Sequence, residues 1–568
     1  MAQAQTGVHP DTETTLPLTF MFVPSTLLAF SIFAATTDGV AGAAIVRPRA
    51  WSKPLRPIGE AAPPKNLTRL DPGDAVEAPV ELREGASMSG ASMPEITGIS
   101  PAAYWGIMGS FPLVLFGTVA TACLAMVDPR RRRPSSGLPV AKALETMSAG
   151  AVALVVSTID AIIAPTLPSF GGGQSTVTLL FVEPIVAVSA AVLLPLILCR
   201  GPHRGRVAAA IGLLLLSLSC ILLASSDSLE AALVARAVAG AANALVLTSV
   251  IFVVTVEALV EGSGWRLVAA IYGVAMGGTL APWLGARMVR TLGLAGGMVF
   301  LSAAAATASI LHVAVAMAQA THDSDLAFAG SVASRHLGKF SAGSVFRAAA
   351  DFFGQWRHFS LLCCLSMAAA SLSLHSMVLP LQLDKLPGSS TPEGAAGLLM
   401  GLTILLCSLA PQLFRETGAA RLLAIALVVA ALGFRALADG LASAHPLLSS
   451  VGLVSSSAGL GAVLGLAAPL LPALLRAGAA SGDVLAPAAV VSASITVALR
   501  LGAAFGVGTQ LALYTALGYK QTILVFATGL VLVAASAMFL PKEFEKDNEQ
   551  GKVDGRPCMK AQSITHTA

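Results

Sequence analysis

The chain has 568 residues, of which 55% are hydrophobic and only 12% are charged, and its formal net charge is +4. Soluble domains contain about 25% charged residues, so this composition excludes a chain that is soluble throughout. A net charge this small gives no sign of a nucleic-acid-binding surface.

Long apolar stretches follow one another along most of the chain, separated by short polar breaks. They lie at 143–168, 176–199, 207–226, 231–256, 267–289, 294–318, 359–382, 394–413, 420–440, 447–475, 485–515 and 519–540. A bilayer core about 30 Å thick needs about 20 apolar residues per helical span. Because lipid offers backbone groups no hydrogen-bond partner, each span has to be a helix. The sequence therefore predicts an all-α polytopic membrane protein.

A polar stretch at 320–358 separates the first six spans from the last six. Two sets of six spans joined by a long central segment are typical of transporters built from two parallel repeats. We therefore expect an N-terminal six-helix bundle at 140–319, a central loop at 320–358, a C-terminal bundle at 359–541 and a tail at 542–568.

The distribution of Lys and Arg among the short loops indicates the orientation. These residues are concentrated on the side that holds residue 140, the central loop and the tail, which is therefore expected to be cytoplasmic. The tail is charged and poor in apolar residues, as disordered segments are. The predicted location is the plasma membrane, with a vacuolar membrane as the alternative.

Residues 1–139 form an extension with two further uncharged runs, 14–37 and 96–127, and a polar loop at 47–95 between them. The polar loop contains the sequon at Asn66, a candidate glycosylation site if this loop faces the outside. The extension adds one or two transmembrane segments, or none, so totals of fourteen, thirteen and twelve spans remain open.

Arg236 and Gly240 lie four residues apart in the fourth of the twelve spans, with Asn243 beside them on the same helical face. An Arg in the middle of a membrane costs roughly 2.5–3.5 kcal/mol on insertion scales, so it is expected to face the protein interior. The alternative is that Arg236 extends its side chain to the membrane surface.

The fifth span carries small residues at strict four-residue spacing, namely Gly273, Gly277, Ala281 and Gly285, and Pro282 bends or loosens the helix there. Such a ridge lets another helix pack closely. Close helix packing of this kind is also expected in membrane proteins that are not transporters.

With these motifs the chain resembles the major facilitator superfamily and, within it, the drug:proton antiporters. Arg236 and Gly240 match the Arg-xxx-Gly motif of the family's fourth helix. The antiporter motif of its fifth helix is similar to the ridge above, with Ala281 and Ala286 in place of two glycines.

The first and eleventh spans extend this resemblance. Asp160, followed by Leu167 and Pro168, looks like the first-helix Asp of the family, at a spacing one residue shorter than the commoner form. Arg500 with Gly502 and Gly506 is similar to the Arg-x-Gly-xxx-Gly run of multidrug exporters.

The segment after the second span departs from the family signature Gly-xxx-Asp-Arg-x-Gly-Arg. Pro202 stands at the Asp position and Leu198 at the first Gly position. The matching residues are Arg204, Gly205 and Arg206. In the family this segment latches the outward-facing state, so here the latch is expected to be altered or weaker. A degenerate copy of this segment lies at 415–421, as a parallel repeat would require. Its Gly418 follows Gly205 by 213 residues.

The resemblance covers about 140–540. It implies two six-helix bundles around a central cavity and transport by alternating access, and it does not extend to residues 1–139.

Ionisable or amide side chains inside the spans are the candidate proton- and substrate-binding groups. They are Asp160, Glu183, Arg236, Asn243, His375 and Arg500. Asp160 is the first candidate for a carboxylate at which a proton and a cationic substrate compete, and Glu183 is the second. The alternative for Asp160 is a structural partner of an Arg such as Arg236, and for His375 it is a buried structural histidine.

We therefore expect proton-coupled efflux of small organic molecules such as drugs, toxins or secondary metabolites. The alternatives are an importer or facilitator of a sugar, polyamine or organic acid, and a non-transporting receptor or scaffold on the same fold. No nucleotide-binding, metalloprotease or serine-hydrolase motif occurs in the sequence, so neither an enzyme nor a cofactor or metal is predicted. The expected partners are the substrate, protons and the lipid bilayer, and the expected state is a monomer.

Overall fold

A computed structural model describes residues 138–163, 173–226, 228–261, 265–329, 342–377, 403–404, 418–443, 445–478 and 484–538. The two candidate spans of the N-terminal extension, Asn66 and the C-terminal tail lie outside these residues. So does almost all of the predicted span 394–413. Everything below concerns the described residues.

Helices account for nearly all of this part of the chain. In chain order they are α1 (Leu138–Ile163), α2 (Gly173–Leu193), α3 (Pro195–Leu198), α4 (Pro202–Ala224), α5 (Leu229–Glu261), α6 (Trp265–Ala329), α7 (Ala342–Phe353), α8 (Trp356–Met377), α9 (Ala419–Ala442), α10 (Pro446–Gly478) and α11 (Leu485–Met538).

Ten helical segments in the described residues are long and apolar enough to cross a membrane. Each overlaps one of the predicted spans, which confirms the prediction of an all-α polytopic membrane protein. The predicted span 267–289 is helical as well, although it is not one of these ten segments.

Two of the helices each contain two predicted spans joined without a polar loop. In α6 the helical path is interrupted at Gly293, where φ is 70° and ψ is 171°, and in α11 it is interrupted at Gly518, where φ is 77° and ψ is 174°. Only glycine adopts such a positive φ without strain. Each glycine therefore divides its helix into a first and a second arm, and the two interruptions have nearly the same geometry.

The first arms of α6 and α11 pack in the same way on α1 and α8 respectively. A Cβ atom on Gly273 would overlap the carbonyl oxygen of Gly150 in α1, and one on Gly502 would overlap that of Ser366 in α8. The glycine ridge of the fifth span is thus a contact surface for α1. A second glycine surface, with Gly506, serves α8.

The central stretch 320–358 is partly helical. It includes the end of α6, all of α7 and the start of α8. In α7, Val345 and Phe352 are buried whereas Phe346 is exposed. The ring of His358 stacks on Phe352 with centroids 4.4 Å apart, which ties α7 to the beginning of α8. Helix α7 was not predicted from the sequence.

The segment that resembles the family signature is mostly helical rather than a loop. Helix α4 begins at Pro202, directly after Gly201, and proline is well suited to the first helical position. Arg204 is exposed, whereas Gly205 and Arg206 are buried in the first turns of α4. Gly201 precedes α4 as Gly418 precedes α9, and both glycines have a positive φ.

Candidate functional site

Four charged side chains from four helices meet inside the protein. Asp160 of α1, Glu183 of α2, Arg236 of α5 and Arg500 of α11 form a cluster that, with Asn243 of α5, we call the central cluster. The side chains of Glu183 and Arg236 are each 3% exposed, whereas that of Asp160 is 21% exposed. Asp160 is therefore the most accessible of the four charged groups.

Arg500 joins the two carboxylates. Its Nη1 donates to Asp160 Oδ2 at 2.6 Å and lies 3.1 Å from Glu183 Oε1. Arg500 lies after the central stretch in the sequence, and both carboxylates lie before it. One guanidinium therefore connects the two sets of helices through two buried ion pairs.

Arg236 approaches the same carboxylates from α5. Its Nη1 and Nη2 both donate to Asp160 Oδ1 at 3.3 Å, and Nη2 lies 3.8 Å from Glu183 Oε2. Nε donates to the carbonyl oxygen of Leu179 at 3.4 Å. With its side chain almost fully buried, Arg236 faces the protein interior and does not extend to the membrane surface.

Gly240, one turn after Arg236, explains how α5 can approach α2 so closely. A Cβ atom at this position would overlap the carbonyl oxygen of Glu183. The Arg-xxx-Gly spacing thus places a cation and a close backbone contact on the same helical face, against the same residue of α2.

Asn243 completes the cluster at its buried side. Its Nδ2 donates to Glu183 Oε1 at 2.5 Å, so Oδ1 is left as an acceptor. This oxygen is buried, and among the described residues it has no hydrogen-bond partner. A buried acceptor without a partner costs free energy, and a substrate that carries an N–H or O–H donor would satisfy it.

The charges of the central cluster balance when all four ionisable groups are charged. Two carboxylates and two guanidiniums sum to zero, which allows such a group to be buried at all. Any change of one unit, whether by a proton, a mutation or a charged ligand, leaves an uncompensated charge in a low-dielectric surrounding. The cluster can therefore respond strongly to a single proton or cation.

Of the six side chains predicted to bind protons or substrate, five come together here. His375 lies in α8, and its side chain is outside the described residues. Asp160 contacts Arg236, which was named above as its partner if Asp160 has only a structural role. It contacts Arg500 as well. Ala281, which lies on the ridge of small residues in the fifth span, is buried.

The structure also reveals a second group of charged residues that the sequence analysis did not select. Arg206 contacts Glu145 in α1, and Arg266 contacts Glu257 in α5. Among the described residues, no group of three or more His, Cys, Asp or Glu side chains is arranged to hold a metal ion.

No protein-family model and no curated protein matches this chain. The resemblance to the major facilitator superfamily therefore depends on the motifs. Of the motif residues that the structure describes, Asp160, Arg236 and Arg500 belong to the central cluster, and Gly240, Gly273, Gly277, Gly502 and Gly506 make close helix contacts.

Proposed function

We propose that this protein is a secondary active transporter of the major-facilitator type, which exports small organic molecules in exchange for protons. The observation that supports this proposal most strongly is the position of Arg500, which connects Asp160 and Glu183 across the two sets of helices. A transporter of this type needs a charged site between two groups of helices that change their contacts during the cycle.

In the proposed mechanism Asp160 is the group that proton and substrate share. The contacts described above are those of ionised Asp160, which accepts from both arginines. A proton on Asp160 removes its negative charge, leaves the cluster with a net charge of one positive unit and weakens the bond to Arg500. The contact between α1 and α11 then loosens, which favours a different arrangement of the helices.

A cationic substrate would replace the proton at the same carboxylate. Because both ligands need Asp160, binding of one releases the other, and this competition is sufficient to couple their movements in opposite directions. The free Oδ1 of Asn243 would accept a hydrogen bond from such a substrate. The preferred substrates would thus carry one positive charge and at least one donor group.

The test is efflux from cells that lack their own exporters. Cells carrying the wild-type chain, Asp160→Asn or Asp439→Asn are loaded with ethidium or with fluorescein, and retention is measured with and without a protonophore. Asp439 is the matched control, because it is an exposed carboxylate that contacts Arg435 and Lys520 on the surface.

We expect the wild-type and Asp439→Asn proteins to lower ethidium retention, and expect both the protonophore and Asp160→Asn to abolish this effect. Ethidium efflux that survives Asp160→Asn, in protein shown to reach the membrane, would contradict the role of Asp160. Efflux that is insensitive to the protonophore would contradict proton coupling.

Transport of an organic acid is the second candidate function, and the two buried guanidiniums favour it. A substrate carboxylate could replace Asp160 between Arg236 and Arg500, since guanidinium groups bind carboxylates well. Fluorescein efflux without ethidium efflux would support this alternative.

A further inference from the structure

Helix α7 is too short to cross a membrane, although it lies between two helices that are long enough to do so. It has 12 residues, or about 18 Å at 1.5 Å per residue, whereas a bilayer core is about 30 Å thick. The candidate spans on either side of it in the sequence are Leu292–Met317 and Trp356–Leu374. Helix α7 therefore lies at a membrane surface or outside the membrane, and its side chains decide between these two positions.

One side of α7 packs on the protein. Val345 and Phe352 are seven positions apart, so they share this side of the helix, and both are buried. The helix contacts α3, α8 and α11. Of these, α3 precedes the central stretch and α11 follows it, and α3 and α11 also contact each other. Helix α7 is therefore held at a place where helices from both sets meet.

The other sides of α7 are exposed, and they differ in chemistry. Phe346 is 67% exposed, and Ala342 and Ala350, one turn before and after it, are exposed as well. We call these three residues the apolar row. Arg347 and Asp351 are also exposed and one turn apart, and they lie about 100° further around the helix. An apolar side next to a charged side is typical of a helix that lies in the membrane–water interface.

Two aromatic side chains directly after α7 mark the level of that interface. Trp356 is the first residue of the span Trp356–Leu374 and is 59% exposed. Its ring lies 5.5 Å from that of Phe359, which is also exposed. An exposed Trp at the end of a span is typical of the headgroup level. Phe353, the last residue of α7, is three positions before Trp356, so the chain limits their separation to about 11 Å.

The junction between α7 and α8 is short and well packed. Only Gly354 and Gln355 separate the two helices. Nδ1 of His358 lies 2.8 Å from the carbonyl oxygen of Phe352, and the two rings stack with their centroids 4.4 Å apart. The side chain of His358 is fully buried by these contacts and their surroundings. Helix α7 is thus held in place relative to Trp356 and cannot move far from the level that Trp356 marks.

We propose that α7 is an interfacial helix, whose apolar row inserts into the boundary between the headgroups and the acyl chains of the bilayer. Phe346 then contacts lipid, whereas Arg347 and Asp351 remain in water. Lipid is the partner that the structure favours, because α7 ends three residues before the exposed aromatic side chains of a span. Those side chains, at Trp356 and Phe359, belong to the surface that the span presents to the bilayer.

This position gives the bilayer a hold on the contact between the two sets of helices. Interfacial helices bind according to lipid composition and curvature. Since α7 contacts both α3 and α11, the lipid that surrounds the apolar row acts at a place where the two sets meet. The inference follows from the exposure and contacts of α7 and α8 alone, and it does not depend on the proposed transport function.

Photo-crosslinking of the purified full chain in phosphatidylcholine nanodiscs tests the proposal. The photoreactive residue p-benzoylphenylalanine replaces Phe346, Asp351 or Val234 in three separate proteins. After irradiation, mass spectrometry of the intact protein measures the fraction that carries a lipid adduct. Val234 is the positive control, because it is 59% exposed on the spanning helix α5. Asp351 is the matched control, because it is exposed on the charged side of α7 itself.

We expect the probe at Phe346 to form lipid adducts in a yield comparable to that at Val234, and the probe at Asp351 to form few or none. Equal yields at Phe346 and Asp351, or no lipid adduct at Phe346 when Val234 gives one, would overturn the proposal. A covalent dimer in place of the lipid adduct would also overturn it, because a second copy of the chain would then cover the apolar row. If the Phe346 variant fails to fold, the probe is placed at Ala350 on the same row and judged by the same criteria.

Discussion

The ion pairs Arg206–Glu145 and Arg266–Glu257 form a second charged group, the terminal cluster. The central and terminal clusters both include side chains of α1 and α5, but they differ in what they connect. The central cluster includes Arg500 and therefore joins helices from before and after the central stretch. The terminal cluster involves only helices that precede the central stretch. A change in the central cluster should thus act on the contact between the two sets of helices, whereas a change in the terminal cluster should act within the first set.

The largest effect is expected from Arg500→Gln. This change leaves Asp160 and Glu183 with Arg236 as the only cation, so the cluster keeps one uncompensated negative charge. Breaking a buried ion pair by removing one partner typically costs about 3–5 kcal/mol. The free energy of unfolding in detergent, measured by denaturant titration, should fall by about this amount.

Two further variants make this prediction specific. Arg435→Gln removes an arginine whose side chain is 64% exposed, and it should leave stability close to that of the wild type. Adding Asp160→Asn to Arg500→Gln restores charge balance and should recover part of the loss. A double variant that is less stable than Arg500→Gln alone would argue against the central cluster as a charge-balanced unit.

A smaller effect that depends on pH is expected from Arg206→Gln. Without this arginine, Glu145 can take up a proton at acidic pH but has to carry a buried charge without its ion-pair partner at alkaline pH. We expect a loss of about 1–3 kcal/mol at alkaline pH, the usual cost of an unsatisfied buried polar group, and a smaller loss at acidic pH. Unfolding of both proteins over a pH series checks this, and a difference that does not vary with pH would contradict it.

Substitution of two neighbouring glycines in α6 tests how tightly α1 is held against that helix. A Cβ atom on Gly277 would lie 2.6 Å from Ser157 Cβ and 2.8 Å from the Leu154 carbonyl oxygen, whereas one on Gly278 would be 3.5 Å from Leu372 Cδ2. Gly277→Ala should thus destabilise by about 1–3 kcal/mol through overpacking, and Gly278→Ala should be tolerated. Equal stability of the two variants, measured by thermal unfolding, would show that α1 is not held tightly by this ridge.

The smallest effect is expected from Asp439→Asn in α9. Asp439 forms ion pairs with Arg435 and Lys520 at 3.0 Å each, but all three side chains are at least 36% exposed. Exposed pairs contribute little because water and salt screen them. The unfolding midpoint of Asp439→Asn should match that of the wild type at both low and high salt. A large salt-dependent loss of stability would contradict the expected difference between this exposed group and the buried clusters.

Most of the helical fold could be predicted from the sequence, because the bilayer imposes one length and one composition on every span. The central cluster could be predicted for a related reason. Asp160, Glu183, Arg236 and Arg500 stand out because charges are rare within apolar stretches. The way in which Arg500 joins the two carboxylates could not be predicted, since it depends on how α11 packs against α2 and α5.

The terminal cluster was missed because its residues lie near the ends of spans, where charged side chains are ordinary. Nothing local to Glu145 or Glu257 indicates that each pairs with an arginine of another helix. The helical start of α4 was missed for a different reason. The segment was interpreted through the family signature, although Pro202 directly after Gly201 is itself a signal for the first turn of a helix.

The central claim is that a proton and a substrate compete for Asp160, and proton release from the purified protein tests it most directly. Ethidium is added to the full chain in weakly buffered solution at acidic pH, with a pH-sensitive dye to report released protons and ethidium fluorescence to report binding. Glu230→Gln, at an exposed glutamate in the first turn of α5, serves as the control. We predict that the wild-type and Glu230→Gln proteins release protons as ethidium binds, and that Asp160→Asn releases none. Equal proton release from Asp160→Asn, or ethidium binding to the wild type without proton release, would contradict the claim.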